Sequence, residues 1–466
     1  MTPVSDTLTV GIDIGTTSVK AVAVDSQGHV VGGSRIVHPV ITSAPGCVEH
    51  DARRAWRRGP LRALASVVPE GAAVAGVGLS AMVPSMTAVD SRGVPFAPGL
   101  LYGDVRGERT GICAASDCGL PDVEGQLRWT ASREPGAQGY WPAQAVASFA
   151  LCGVPAVDSA VAMAFGRLRL REEWQDGLLG EVGAVSGQMP VVAPMGDPVG
   201  TVRSLGAPLC AGSVDALCDQ IVSGAVNDGD VLVIFGATLV MWAVVTGWPE
   251  VPGYWTVPHT AAGKTLIGGP SNAGALFVDW ARGLLGPGLR GSPASSAGRR
   301  GRSEGGGEAL PSDPRQVPVW LPYVRGERVP FHDPGLSASL HGMDITQGAG
   351  ALQRAAYEAG GFVLRRMLEC SGVEARRIVA SGSGSRNAAW MQAVADCTGL
   401  PVDLPAVPEG AALGAAFMAR MAAGLETTVD AAGRWARVNR RIEPCEPWKV
   451  AADGRFAAFK ELSPKC

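Results

Sequence analysis

Val10-Gly-Ile-Asp-Ile-Gly-Thr-Thr-Ser-Val-Lys20 decides how the rest of the chain is read. From Leu8 to Ile14, β-formers gather around one carboxylate, Asp13. Gly15 breaks the run, Thr16, Thr17 and Ser18 follow, and residues 19–24 resume as a strand. The pattern predicts a strand–turn–strand with hydroxyls and free N–H groups at its tip. Glycine lets the backbone approach an anion closely, and successive N–H groups in a turn form a concave phosphate site. A carboxylate just before the turn suits a Mg2+ ion riding on those phosphates. On this stretch alone, an ordinary hairpin with a polar tip reads equally well.

At 466 residues the chain exceeds one usual core, so two or three domains are expected. Its 46% hydrophobic and 18% charged content is an ordinary globular balance, and a net charge of −3 argues against nucleic acid or an anionic membrane as partner. The sequence shows no secretion signal and no 18-residue uncharged apolar span. Ten scattered cysteines without zinc spacing predict reduced thiols in a cytoplasmic protein.

A second tight turn at Ser26–His29 leads into 30–37, so the chain opens as a three-stranded antiparallel meander. A helical pattern over 51–68 and a small, apolar strand over 73–80 follow. Strands in a meander, then strands alternating with helices, imply a mixed sheet with helices on its faces. Gly212-Ser-Val-Asp215 precedes an apolar helix over 216–226. Residues 231–245 then repeat the opening plan: a β-run, the turn Gly236-Ala-Thr238, and a β-run. Two such copies suggest duplicated halves. Residues 286–316 read as a solvated insertion. Ser381-Gly-Ser-Gly-Ser-Arg-Asn387 joins a strand to a helix start, which suits a nucleotide moiety but is not the dinucleotide fingerprint. Pro408-Glu-Gly-Ala-Ala-Leu-Gly-Ala-Ala-Phe-Met begins a helix of small residues that must pack tightly against something. Glu327 and Arg328, charged in an apolar neighbourhood, are expected as an internal ion pair.

Taken together, these segments resemble the FGGY family of carbohydrate kinases. Asp13-Ile-Gly-Thr-Thr-Ser-Val-Lys20 looks like its first phosphate loop, Leu101-Tyr-Gly-Asp-Val-Arg106 like its sugar segment, and Gly212-Ser-Val-Asp215 like the G-x-x-D of its catalytic base. Gly236-Ala-Thr238 resembles the second phosphate loop, and Pro322-Tyr-Val-Arg-Gly-Glu-Arg-Val-Pro330 the P-Y-x-x-G-E-R-x-P signature. Residues 342–358 resemble the second signature, and 382–387 with 409–416 the adenosine-side segments.

The resemblance implies an α/β fold of two actin-like (ribonuclease-H-like) domains flanking an interdomain cleft. Its domains would be 1–228 for sugar binding and the base, 229–448 for nucleotide binding with the insertion near 286–316, and a tail over 449–466. It implies ATP and Mg2+, a small sugar, polyol or cyclitol as acceptor, and a homodimer as one admissible assembly. By the same resemblance Asp215 takes the proton from the acceptor hydroxyl. Asp13 holds Mg2+, and Gly15, Thr16, Thr17, Gly236 and Thr238 serve the phosphates. Gly382, Gly384 and Asn387 line the adenosine pocket. Lys20 either steadies a phosphate or pairs with Asp13.

On the acceptor side, Met82, Val83, Asp104, Arg106 and Asp219 are the expected contacts, and here the chain departs from the family. Met82-Val83 stands where Met-His or Arg-Glu is usual, Tyr102 replaces a tryptophan, and Ala143-Gln144 replaces Lys-Asp. The segment around 130–142 is short. Ala237 replaces a threonine of the second loop. Asp219, one helical turn from Asp215, either raises the pKa of one of the pair or binds the acceptor. Two other readings remain: a catalytically silent sugar or nucleotide sensor, favoured by Ala237 and the short lid, and an NAD enzyme, disfavoured because no acidic ribose partner follows.

Overall fold

Leu8–Ile14, Ser18–Val24 and Val30–Val37 form the expected antiparallel meander, with Asp13 opposite Lys20. The structure is a computed structural model that describes residues 7–44, 46–107, 123–261, 263–285, 311 and 313–465. Most of the insertion expected over 286–316 lies outside them.

By its contacts the chain divides into two units, residues 1–222 with 409–435, and 223–408 with 436–466. The sequence reading put the boundary at 228/229. It also made 449–466 a tail, where the structure has a helix, Glu446–Leu462, belonging to the second unit.

In the first unit, Val74–Ala81 lies parallel to Leu8–Ile14, pairing Ser80 with Asp13. Ser213–Val214 lies parallel beyond it, pairing Val214 with Ala81. Three parallel strands therefore end on one edge, and Gly15, Met82 and Asp215 leave it as neighbours. Val10, Ile12 and Ile14 are completely buried, at about 2 kcal/mol of burial each. That anchors the strand in a single register.

On the opposite face, glycines at positions 11, 76 and 78 leave a flat patch of backbone, and there the helix Gly410–Ala422 docks. A Cβ on Gly11 would lie 1.8 Å from the carbonyl oxygen of Ala412, and one on Gly78 1.9 Å from that of Ala415. Backbone meets backbone, which only small residues on both sides allow. This is what the small-residue helix packs against.

The second unit repeats the plan. Asp230–Phe235, Leu239–Thr246 and Lys264–Ser271 form an antiparallel meander. Arg377–Ser381 and then Val402–Pro405 add in parallel, and Val438–Ile442 closes antiparallel. The first sheet has the same sequence of senses: the meander, two parallel neighbours including Pro208–Cys210, then the antiparallel Pro198–Thr201. The second core gathers Phe235, Phe277, Phe362, Trp390, Phe456 and Phe459.

A long helix spans Ala349–Ser371, and Arg354 and Glu358 on it are buried. Arg354 reaches Glu358 and Asp396 at 2.8 and 2.7 Å, and Arg455 also holds Glu358. Burial is tolerable because each charge has a partner. Glu327 accepts from Ser271 Oγ and the amides of Asn272 and Arg328, fastening the 322–330 loop to a strand end.

Cys47, Cys152, Cys210, Cys218, Cys397 and Cys445 are free thiols. Cys370 is disulfide-bonded, which corrects the expectation of uniformly reduced cysteines. Spacing along the chain carries no information on which thiols the fold brings together. Among the described residues no helix is long and apolar enough to cross a membrane.

Candidate active site

The edge where Gly15, Met82 and Asp215 emerge brings several of the expected site residues together. Gly15 donates to the Ser18 carbonyl at 3.1 Å and closes the turn. The Thr16 carbonyl accepts from His50 Nε2 at 2.7 Å, and the Thr17 carbonyl from the His38 amide at 3.0 Å. The amides of Thr16 and Thr17 meet no acceptor among the described residues. With its carbonyls tied back and its amides free, the turn has the donor geometry of a concave anion site.

The support behind it is a chain of buried rings. Trp56 Nε1 donates to His50 Nδ1 at 2.9 Å. His50 therefore keeps its proton on Nε2, the nitrogen that meets the Thr16 carbonyl. Burial lowers the His50 pKa. His38 packs edge-on at 4.5 Å between centroids. Burial first, then the proximity of His50 and Arg54, pushes its pKa down to about 4. Both rings are thus neutral struts at neutral pH. None of this network was expected from the sequence, where isolated histidines give no spatial signal.

Asp13 is buried and accepts from Ser80 Oγ at 3.2 Å, while Lys20 Nζ stands 4.0 Å away. Lys20 thus stands as a loose partner of Asp13. Burial raises the Asp13 pKa against the opposing pull of Lys20 and Ser80. Asp215 begins the helix Asp215–Ser223 and accepts from the Ala216 amide at 2.8 Å. Burial and then the nearby Asp13 charge raise its pKa to about 6. A carboxyl with that value is mostly ionised at neutral pH yet basic enough to take a proton. Asp219 is buried one turn further along the same helix.

The acceptor-side residues divide. Met82 is buried, 2% exposed, whereas Val83 and Tyr102 are half-buried and pack against the core. Tyr102 OH and Thr16 Oγ1 share a 2.7 Å hydrogen bond, which ties the acceptor segment to the phosphate turn. The sequence marked Tyr102 as a departure but gave it no role.

The side chain of Asp104 is 0% exposed. Its oxygens accept from the Val48 amide at 2.8 Å and from Arg106 Nε at 2.9 and 3.0 Å. Arg106 also reaches Glu49 at 2.6 Å and lies 4.6 Å over Trp129. These two expected acceptor ligands are thus engaged with protein. Gln144 Nε2 donates to the carbonyls of Ala81 and Ser213 at 3.0 and 3.1 Å, spanning the strand ends just before Met82 and Asp215.

In the second unit the turn Gly236-Ala-Thr238 uses the same device. Gly236 donates to the Thr238 carbonyl at 3.0 Å. The Gly236 and Ala237 carbonyls accept from the amides of Ala275 and Leu276 at 2.9 and 3.1 Å. The amides of Ala237 and Thr238 meet no acceptor among the described residues. Ile234 pairs with Ser381, so Gly382 turns off the same edge. Gly382 has φ +81, and a Cβ there would press on the Phe235 carbonyl at 2.8 Å. Gly384 lies against Trp390 and Phe235. Asn387 caps its helix, accepting from the Trp390 amide at 3.1 Å, and donates to Tyr357 OH at 3.0 Å.

Among the described residues no three His, Cys, Asp or Glu side chains group as metal ligands. One hard carboxylate beside free amides fits a Mg2+ ion that takes its remaining ligands from phosphate and water.

Residues 8–117 match the N-terminal domain, and 238–423 the C-terminal domain, of the FGGY family of carbohydrate kinases. The chain is 29% identical to a xylulose kinase of Streptomyces rubiginosus, covering 92% of this chain and 90% of that one. It is 25% identical to a glycerol kinase of Bordetella pertussis, over 97% and 96%. A gluconate kinase structure from Lactobacillus acidophilus superposes with a TM-score of 0.78 at 20% identity, covering 98% of each chain. The fold is thus the two-domain, actin-like α/β fold.

Proposed function

The chain belongs to the FGGY family of carbohydrate kinases, phosphotransferases with an alcohol group as acceptor, and on that premise we propose that it phosphorylates a hydroxyl of a small sugar, polyol or cyclitol from Mg-ATP, with Asp215 as the general base. The observation that carries the proposal is the half-buried Asp215 carboxyl, with its pKa raised to about 6, on the same sheet edge as a turn with unclaimed amides.

Asp215 accepts the acceptor's hydroxyl proton as its oxygen forms a bond to the γ-phosphorus. The bond from that phosphorus to the β-phosphate oxygen breaks, and ADP leaves. The free amides of Thr16 and Thr17 receive phosphate oxygens in the first unit, and the turn at Ala237 and Thr238 offers the same kind of donors within the second. Asp13 would hold Mg2+, whose charge offsets that of the phosphates. Gly382 and Gly384 keep a surface free of side chains for the adenosine. Asn387 acts there through the backbone, because its amide group is engaged in capping. The same reading makes the protein cytoplasmic.

ADP release with a panel of ketoses, alditols and cyclitols tests this, with Asp215→Asn as control. Turnover that survives the substitution rules out Asp215 as base. One observation favours a silent binder: Ala237 removes a hydroxyl from the second turn. ATP binding without ADP release for any acceptor would establish that reading instead.

A further inference from the structure

Resting on the kinase reading, we infer that Asp158 and Ser213 are positioning residues for the base, joined by one internal water that fixes the strand end from which Asp215 leaves. A row of side chains across neighbouring strands leads to them. Asp13 pairs with Ser80, and Ser80 with Ser213. The parallel bridge of Val157 with Gly212 continues the register, which sets Asp158 beside Ser213. Paired residues on neighbouring parallel strands share a face. A carboxylate therefore closes each end of the row, with two serines between, and all four residues are buried. Burial first, then Asp158 and Asp13, raise the pKa of the Cys218 thiol, so both carboxylates lie near the helix that Asp215 begins.

The row is satisfied at one end. Ser80 Oγ donates to Asp13 at 3.2 Å. At the other end the Asp158 amide donates to the Gly212 carbonyl at 2.8 Å, and Asp158 Oδ1 accepts from the Val161 amide at 2.9 Å. Ser213 Oγ and Asp158 Oδ2 are buried and make no hydrogen bond among the described residues. They are near each other all the same: burial raises the Asp158 pKa to about 6 against the pull of the Ser213 hydroxyl. Asp158 is thus mostly ionised at neutral pH, and a buried carboxylate oxygen without a donor is destabilising. A hydroxyl and a carboxylate in that condition are the partners that internal waters bridge. The water accepts from Ser213 Oγ and donates to Asp158 Oδ2. Gln144 already holds the Ser213 carbonyl. With its side chain held as well, the residue two before the base has one position.

The test starts from a crystal structure of the full chain, which is expected to show a water within hydrogen-bond distance of both atoms. Ser213→Ala and Asp158→Asn, the second keeping an oxygen for the Val161 amide, should each lower kcat about five- to twentyfold. KM for ATP and for the acceptor should stay within about twofold, as expected when only the chemical step is affected. The double variant should fall no further than the worse single one, because the pair acts as a unit. Ser213→Thr, which keeps the hydroxyl, should recover most of the rate. Thr9→Val removes another buried, unbonded hydroxyl, on the strand of Asp13, and should leave kcat unchanged. A structure without that water overturns the inference, as do losses that multiply in the double variant or single variants with full kcat. If the wild type releases no ADP with any acceptor, the kinase reading fails on its own. The pair is then judged from the crystal structure of Asp158→Asn, where an Asp215 carboxyl unmoved from its wild-type place overturns the inference and a displaced one supports it.

Discussion

The two hairpin turns show how one backbone device can be supported in two ways. Both turns tie their carbonyls back and, among the described residues, leave two successive amides unclaimed. At Thr16 and Thr17 the tie is a buried histidine side chain and an extended-chain amide. At Gly236 and Ala237 it is the first turn of the helix Ala275–Leu284. The first strand places the buried carboxylate Asp13 two residues before its glycine, where the second has Ile234. The duplicated topology thus has amide donors in both halves, while the carboxylates Asp13 and Asp215 with raised pKa lie in one. Backbone donors come with the turn itself; a buried carboxylate needs Ser80 and Lys20 built around it.

The largest expected effect breaks the asymmetry at Asp215. Asp215→Asn should lower kcat by about 100–10,000-fold with ATP affinity retained by calorimetry. Burial and Asp13 raise the carboxyl's pKa in the folded protein, so its ionised form weakens the fold as pH rises from the ordinary carboxylate range through about 6. The variant should therefore melt higher than the wild type at about pH 8 and no higher near pH 3.5. In the wild type, kcat/KM should rise with pH through about 6.

Next in size is Gly11→Ala. Its Cβ would meet the Ala412 carbonyl oxygen at 1.8 Å, which should cost about 3 kcal/mol or more and unlatch the helix Gly410–Ala422. Chemical denaturation measures it, and Gly33→Ala, with nothing within 4 Å, is the near-neutral control.

His50→Ala removes the side-chain tie of the first turn. The loss of a hydrogen bond worth about 1 kcal/mol should raise KM for ATP roughly five- to tenfold, with the acceptor KM nearly unchanged. An equal loss on both substrates would mean that His50 supports the whole edge, not the turn.

Gln144→Glu should lower kcat several-fold by leaving the Ala81 and Ser213 carbonyls unpaired. The smallest effect sharpens the comparison from the other side: Ala237→Thr, which adds a hydroxyl to the second turn, should improve kcat/KM for ATP by no more than a few-fold.

The meander, the turn chemistry of Gly15-Thr16-Thr17 and the helix start at Asp215 were legible because each is local. Alternation, a breaking glycine and a capping carboxylate act within a few residues. Repetition of the strand–turn–strand made the duplicated plan readable too, and motif order reached the family. The partners of those motifs were not legible. Asp104 and Arg106 stand two apart in the chain and read as open ligands, until Val48 and Glu49 close around them. Nothing in the sequence joined Arg354 and Glu358 to Asp396 and Arg455, because those partners lie far along the chain. The small-residue helix announced close packing without naming its surface, since Gly11 and Gly78 lie more than three hundred residues away.

Local backbone preference determined what this sequence could form, since each residue carries its own φ/ψ limits and hydrogen-bonding groups. Only tertiary packing decided which of its polar groups would be spent inside the protein and which would remain to meet a substrate. Burial and partnership depend on where distant segments come to rest.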